Sequence, residues 1–142
     1  MNRRQLIACA LGASLASLPA FAGELAVTDA WSRSTPPGVT VGVAYFTLKN
    51  DTGKSDRLLK ITTPVASKVQ VHRTEILDGM ARMREVAVLH VAAGQTVEFA
   101  PNGMHLMLMG LRQPLAEGQA FEIELLFEVA GPRKVKVAVR KD

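Results

Sequence analysis

The chain has 142 residues, of which 48% are hydrophobic and 21% charged, and its formal net charge is +4 at pH 7. This length suits one domain with one hydrophobic core. Lysines and arginines are scattered among acidic residues rather than gathered in a stripe, which argues against a nucleic-acid partner. The only cysteine is Cys9, so the chain beyond it has neither disulfide nor thiolate chemistry.

The N-terminal segment has the pattern of a secretory signal peptide. Two arginines precede an apolar run over residues 6–18, which is too short to span a bilayer, and a small-x-small triplet ends at Ala22. The sequence therefore predicts a signal peptide over 1–22 and an exported domain over 23–142. A twin-arginine signal matches the flanking residues poorly, and lipoprotein cleavage at Cys9 would leave almost no hydrophobic segment ahead of it.

Turn signals recur at short intervals along the predicted domain and leave little room for helices of ordinary length. They are Pro36-Pro37-Gly38, Asn50-Asp51-Thr52-Gly53, Asp78-Gly79, Ala93-Gly94, Pro101-Asn102-Gly103, Glu117-Gly118 and Gly131-Pro132. Apolar and charged residues alternate between them, and the predicted strands are 41–48, 57–62, 68–74, 96–99, 121–129 and 134–140. The sequence therefore predicts an all-β sandwich or barrel.

The segment 103–110, GMHLMLMG, is unusually rich in methionine. As a strand, it would place His105, Met107 and Met109 on one face and its leucines on the other. A central strand with methionine as flexible filler would explain any one of these residues. However, all five methionines after the predicted signal lie within one short span: Met80, Met83, Met104, Met107 and Met109. This clustering favours a shared role over simple packing.

His72 belongs to the same interpretation. In the stretch KVQVH the two valines alternate inward, so His72 is expected on the polar face with Lys68 and Gln70, where it is free to bind a ligand. Two imidazoles and two thioethers without cysteine favour copper, particularly Cu(I), because a neutral, polarizable thioether suits a soft monovalent ion. Zn²⁺ normally takes Cys, His or carboxylate ligands instead. Imidazole must lose its proton to bind, so we expect affinity to fall below about pH 6.5.

The spacing H-x₁₀-M-x₂₁-H-x-M resembles the signature of the periplasmic copper chaperones of the PCu(A)C family. Its positions in this chain are His72, Met83, His105 and Met107. Further stretches that look like family positions are 27–33, 36–38, 44–46, 48–50 and 104–114. The resemblance implies a cupredoxin-like Greek-key β-sandwich or barrel that holds one Cu(I) ion on an exposed rim with these four ligands.

The chain departs from the family pattern in two places. Arg73 stands where many family members carry methionine, so an auxiliary role for that methionine does not apply here. The chain also lacks the His- and Met-rich tail that some relatives use to hold Cu(II), so a second copper site is not expected.

The other candidate residues are interpreted as structural. Met109 shares a strand face with two of the motif positions and is either a fifth donor or a hydrophobic shield, and we favour packing. Met80 and Met104 are expected to pack or to lie in loops, and His90 is expected on the surface of a strand. The sequence gives Trp31 and Tyr45 no charged partners, so they are expected to pack in the core or at its rim.

The sequence predicts a binding protein rather than an enzyme, since it has no cysteine nucleophile, no serine elbow and no carboxylate pair near a histidine. An electron-transfer cupredoxin would need a copper site of two histidines and one cysteine, and the predicted domain has no cysteine.

The resemblance implies a monomeric periplasmic chaperone, without a small-molecule substrate, that delivers Cu(I) by ligand exchange. Its acceptor would be the Cu(A) centre of cytochrome c oxidase or a thiol-bearing assembly factor. Copper buffering without a dedicated acceptor and a cupredoxin-like interaction module are the alternatives.

Overall fold

The computed structural model describes residues 23–141, and the predicted signal peptide therefore lies outside the described residues. Within that range the chain forms ten β-strands and no helix, which confirms the all-β prediction. The strands are β1 (Leu25–Arg33), β2 (Val41–Asn50), β3 (Asp56–Thr62), β4 (Ala66–Leu77), β5 (Met80–Glu85), β6 (Leu89–Val91), β7 (Thr96–Glu98), β8 (Met104–Leu111), β9 (Ala120–Phe127) and β10 (Gly131–Arg140). Between residues 23 and 141, no helix is long and apolar enough to cross a membrane.

The strands form one sheet in the order β5-β4-β8-β2-β1-β10-β9-β3-β6, and β7 pairs with β2 off this path. Strand β1 joins the two halves, because it runs antiparallel to β2 and then pairs in parallel with β10 over residues 31–33. Its register shifts between Thr28 and Trp31, where Asp29 has a φ of 50°. Such a bulge bends a strand, and in β1 the bend comes just before the residues that pair with β10.

Both halves of the sheet contribute to one hydrophobic core. Its largest fully buried side chains are Phe46, Leu48, Leu106 and Leu108 from one half and Ile123, Leu125, Phe127, Val91 and Val137 from the other. Buried and less buried positions alternate along β9, as expected for a strand with one face in the core. The sheet therefore folds over so that the apolar faces of its two halves are buried together.

Strands β4 and β5 form a hairpin through a two-residue Asp78-Gly79 turn. Both turn residues have positive φ, 52° and 74°, which is the conformation that Asp-Gly sequences favour in tight hairpins. All six residues of β5 are exposed, and β5 lies at one end of the strand order. The sequence interpretation did not predict this strand, and Met80 lies in it rather than in a loop or in the core, with 56% of its surface exposed.

Strand β8 needs a glycine near its end. Gly110 has a φ of 66°, and a Cβ at this position would lie 2.0 Å from the Ser67 Oγ on β4. Only glycine adopts this conformation without strain and leaves room for the neighbouring side chain. Gly110 thus allows β8 to stay paired with β4 up to Leu111.

Asp56, at the start of β3, ties this strand to the connection between β9 and β10. Its Oδ1 accepts hydrogen bonds from the backbone N–H of Arg57 at 2.7 Å and of Val129 at 2.9 Å, and its Oδ2 accepts one from Ala130 at 2.9 Å. Burial raises the pKa of this carboxyl, but the three backbone donors and the Arg133 charge outweigh burial and hold the pKa below its usual value.

We therefore expect the contribution of Asp56 to the free energy of unfolding to be lost in acid. Because the folded-state pKa lies below the unfolded value of about 3.9, the stabilisation is complete above that pH and disappears as the pH falls through the folded-state pKa. An Asp56→Asn substitution should cost about 1–3 kcal/mol at pH 7, because the amide group cannot accept all three bonds. Urea denaturation at pH 7 and pH 3 measures both effects.

The matched control is Glu117→Gln, which neutralises an exposed acid. This variant should unfold like the unmodified chain at both pH values. An Asp56→Asn variant that retains the full acid sensitivity of the unmodified chain would contradict the assignment.

Candidate metal centre

His72 on β4 and His105 on β8 are cross-strand partners on the outer face of the sheet. Their ring centroids lie 5.8 Å apart, and the ring planes are tilted by 48°. His105 is only 4% exposed, and His72 is half-buried. The neighbouring residues Val71 and Leu106 point into the core, so the alternation of each strand directs both imidazoles to the opposite face.

Each imidazole has one nitrogen in a hydrogen bond and the other without a partner. The Nδ1 of His105 lies 3.2 Å from the carbonyl oxygen of Gly103 and must donate to it, which leaves a lone pair on Nε2. The Nε2 of His72 lies 3.0 Å from the Gln70 Oε1, which leaves the lone pair on Nδ1. Among residues 23–141, neither His105 Nε2 nor His72 Nδ1 has a hydrogen-bond partner, although both are buried. Buried nitrogen atoms of this kind are costly unless a ligand satisfies them.

A second layer of hydrogen bonds orients His72. The Gln70 Nε2 donates to the Glu85 Oε1 at 2.9 Å, which turns the Gln70 Oε1 towards the imidazole. Glu85 is also the cross-strand partner of His72 on β5. Carboxylate and amide partners of this type fix the tautomer and the ring orientation of histidines that bind metals.

The electrostatic environment favours the neutral form of His72. Burial is the largest cause that lowers the pKa of His72, and the nearby His105 lowers it further. The carboxylate of Glu85 acts in the opposite direction and raises the pKa, but the net change is downward. A neutral imidazole is the form that donates a lone pair to a metal.

The two methionines of the motif lie on the same face as the histidines. Met107 is half-buried in the middle of β8, where it pairs with Gln70 on β4 and Val43 on β2. Met83 lies opposite Thr74 on β5 and is 60% exposed. The four predicted ligand positions therefore lie on three neighbouring strands, β5, β4 and β8.

A cavity of about 350 Å³ opens between these strands and β2. Met83 and His105 both line it, and its other lining residues are Arg33, Val43, Tyr45, Thr74, Ala81, Pro101 and Asn102. Within the described residues, no group of three or more His, Cys, Asp or Glu side chains is placed to hold a metal ion. The donors on this face are two imidazoles and thioethers, a set that fits a soft monovalent ion.

The other methionines occupy different environments. Met104 points to the opposite face of β8, packs against the core, and accepts a contact from the Arg73 Nη2 at 3.6 Å through its sulfur. Met109 lies on the face of the histidines, further along β8, opposite Lys68 and Val41. The predicted assignment of alternate residues of β8 to opposite faces is thus confirmed.

Three further expectations concern residues other than the four predicted ligands. His90 is an exposed residue of β6, as predicted. Trp31 packs against Tyr45 with ring centroids 4.7 Å apart, also as predicted. The expectation that these aromatics have no charged partner is wrong, because the Arg140 guanidinium lies 5.5 Å from the Trp31 ring centroid and also pairs with Asp29 at 3.1 Å. Trp31 and Asp29 are both far from Arg140 in the sequence, and the pairing of β1 with β10 brings them together.

Gln70 and Glu85 were not identified as site residues from the sequence. The signal for Gln70 was its position two residues before His72 on a strand, which places both on one face. Glu85 gave no comparable signal, because its proximity to His72 depends on the register of β5.

Most of the chain matches a protein family and a relative of known sequence. The family described as "Putative lipoprotein LpqE-like" matches residues 25–139. The chain is 33% identical over 115 residues to "Putative lipoprotein Lxx21020" of Leifsonia xyli subsp. xyli, and this alignment covers 80% of the chain and 68% of the relative.

Two solved structures share the architecture. A solution structure described as CuI-DR1885 of Deinococcus radiodurans is 32% identical, with a TM-score of 0.71 and coverage of 87% of this chain and 83% of the other. A copper-bound PCuAC domain from PmoF2 is 24% identical, with a TM-score of 0.71 and coverage of 85% and 96%. The second likeness concerns the fold alone, and it agrees with the predicted cupredoxin-like β architecture.

A Gln70→Leu substitution tests the second layer of hydrogen bonds. We expect His72 to change from one dominant tautomer, protonated at Nε2, to a mixture, because leucine cannot accept the Nε2 hydrogen bond. Long-range ¹H–¹⁵N NMR spectra of the imidazoles at neutral pH distinguish the two tautomers. The matched control is Lys68→Leu, two residues along the same strand face. Unchanged His72 resonances in the Gln70→Leu variant would contradict the proposed orientation.

Proposed function

The chain belongs to the LpqE-like family, the family of PCu(A)C domains, and we propose that it binds one Cu(I) ion outside the cytoplasm and passes this ion to an acceptor. Copper is the cargo in this proposal, and the chain performs no reaction on it. The predicted signal peptide over 1–22 and the lipoprotein name of the Leifsonia relative support a location beyond the cytoplasmic membrane, which we take to be the periplasm.

The observation that carries this proposal is the pair of buried imidazole nitrogens without partners. His72 and His105 present these nitrogens on adjacent strands, and thioethers flank them on the same face. We assign His72, Met83, His105 and Met107 as the ligands. Two neutral imidazoles and two neutral thioethers favour Cu(I) over harder ions, because thioether sulfur is a soft donor. The similar Deinococcus radiodurans protein, whose structure is described as a Cu(I) form, supports this choice of ion.

The four positions differ in exposure, and this difference suggests a route for release. His72, His105 and Met107 lie on the paired strands β4 and β8, whereas Met83 lies on the exposed strand β5. An acceptor ligand can approach the ion from the side of Met83 while the other three donors still hold it. Thioethers are neutral and bind less strongly than thiolates, so transfer to a cysteine-bearing acceptor is favourable.

We propose that the acceptor is such a cysteine-bearing copper site. The Cu(A) subunit of cytochrome c oxidase and a thiol-bearing assembly factor both fit this description, since each presents thiolates outside the cytoplasm. Cu(I) binds thiolate more tightly than thioether, and this preference supports delivery of the ion from the chain to such an acceptor.

Anaerobic titration with Cu(I) against a chromophoric chelator tests the binding site. The chain from Gly23 onward should bind one equivalent, and a His105→Ala, Met107→Ala double variant should bind at least about 100-fold more weakly, because losing even outer partners of metal ligands costs 10–100-fold. A His90→Ala, Met80→Leu double variant is the matched control, since it removes the same residue types outside the site. Equal affinity of both double variants would refute the assignment.

Transfer is tested separately from binding. The Cu(I)-loaded chain is incubated with an apo Cu(A) domain or with a reduced dithiol assembly factor, and copper in the acceptor is measured after separation. We expect copper to move to the acceptor and the binuclear spectrum to develop in the Cu(A) domain. Retention of copper with every such acceptor would argue for buffering instead of delivery.

A further inference from the structure

Met83 combines the highest exposure of the five methionines after the predicted signal with a position in the proposed copper site. Its exposed fraction is 60%, whereas Met107, the other proposed thioether ligand, is half-buried. We propose that Met83 is a site of reversible oxidation to methionine sulfoxide by hydroperoxides, and that this modification weakens Cu(I) binding. The inference rests on the proposed function and adds a regulatory modification to the same site.

The fold leaves Met83 open to a small oxidant. Met83 lies on β5, whose six residues are all exposed and which ends the strand order beside β4. Met107 differs because it lies on β8, which is flanked by β4 on one side and β2 on the other. Susceptibility of methionine to oxidation follows its exposure, so the two proposed sulfur ligands should react at different rates.

The oxidation step is balanced with a hydroperoxide as the named oxidant. A lone pair of the Met83 Sδ attacks one peroxide oxygen, an S–O bond forms, and the O–O bond breaks. The sulfur loses two electrons, and the peroxide gains them. The leaving oxygen takes up the proton from the transferred oxygen and departs as water, or as an alcohol from an alkyl hydroperoxide.

The product differs from the thioether in the property on which Cu(I) binding depends. A sulfoxide uses one of the two thioether lone pairs in its S–O bond, which leaves an electron-poor, weakly donating sulfur and adds a hard oxygen that suits Cu(I) poorly. His72, His105 and Met107 remain as donors, so affinity should fall rather than vanish. A soft ion bound to the Met83 sulfur withdraws electron density from it and covers one side of it, and should therefore slow its attack on a peroxide.

Peptide mapping by mass spectrometry of the chain treated with dilute hydrogen peroxide tests this proposal. Met80 is the internal control, because it is 56% exposed on the same strand but points to the opposite face. We expect Met80 and Met83 to be oxidised before Met104, Met107 and Met109. The experiment is repeated with one equivalent of Ag(I), a soft ion that does not cycle with peroxide as Cu(I) does. Ag(I) should protect Met83 and leave Met80 reactive.

The effect of Met83 oxidation on Cu(I) affinity is measured in a Met80→Leu variant, in which Met83 is the one strongly exposed methionine after the predicted signal. Cu(I) affinity after oxidation should fall about as far as in a Met80→Leu, Met83→Leu double variant, and methionine sulfoxide reductase should restore it. Unchanged affinity of the Met83-oxidised chain, or oxidation of Met83 no faster than Met107, would overturn the inference. If even the unoxidised chain fails to bind Cu(I), the proposed function fails as well, so the two failures are distinguishable.

Discussion

The antiparallel pairing of β4 with β8 is the constraint on which the candidate site depends. It places His72 directly opposite His105 and Met107 directly opposite Gln70. A shift of one residue in this register would reverse the two faces of one strand. Its histidine would then turn into the core, and its apolar side chains would turn outward. The burial of Val71, Leu106 and Leu108 opposes such a shift, because it would expose these apolar side chains to water. The hydrophobic core thus holds the imidazoles in register.

The proposed ligands differ in how firmly the fold encloses them. His72 and His105 are held by the central pairing and by hydrogen bonds to Gln70 and to the backbone of Gly103. Met83 lies on the second strand of a hairpin, β5, which pairs with β4 at one end of the described strand order and whose residues are all exposed. A carrier requires both properties, since it must keep its ion from solvent and still admit the ligand of an acceptor. In the proposed carrier, the histidines would retain the ion and Met83 would give access to it.

The amino-acid pattern predicted most strands because alternation of apolar and polar residues reflects which side of the sheet each residue occupies. It gave no range for three strands. Strand β1 has a register shift between Thr28 and Trp31 that interrupts alternation, β6 is only three residues long, and every residue of β5 is exposed, so it has no alternation of burial. The interpretation of Met80 as a packing or loop residue failed for the same reason. The histidines and methionines of the proposed site were identifiable from residue type and spacing, because soft neutral donors without cysteine are a distinctive combination.

The sequence by itself determined the all-β class, the inward and outward faces of β4 and β8, and the donor types available to a metal. These properties are local, since they follow from side-chain chemistry and from the two-residue period of a strand. Tertiary structure alone decided that His72 faces His105, that Glu85 orients Gln70, and that Arg140 stacks on Trp31. Each of these contacts joins residues on different strands, and their meeting depends on strand order and register. Both are fixed by packing of the whole core, which no single segment of the sequence encodes.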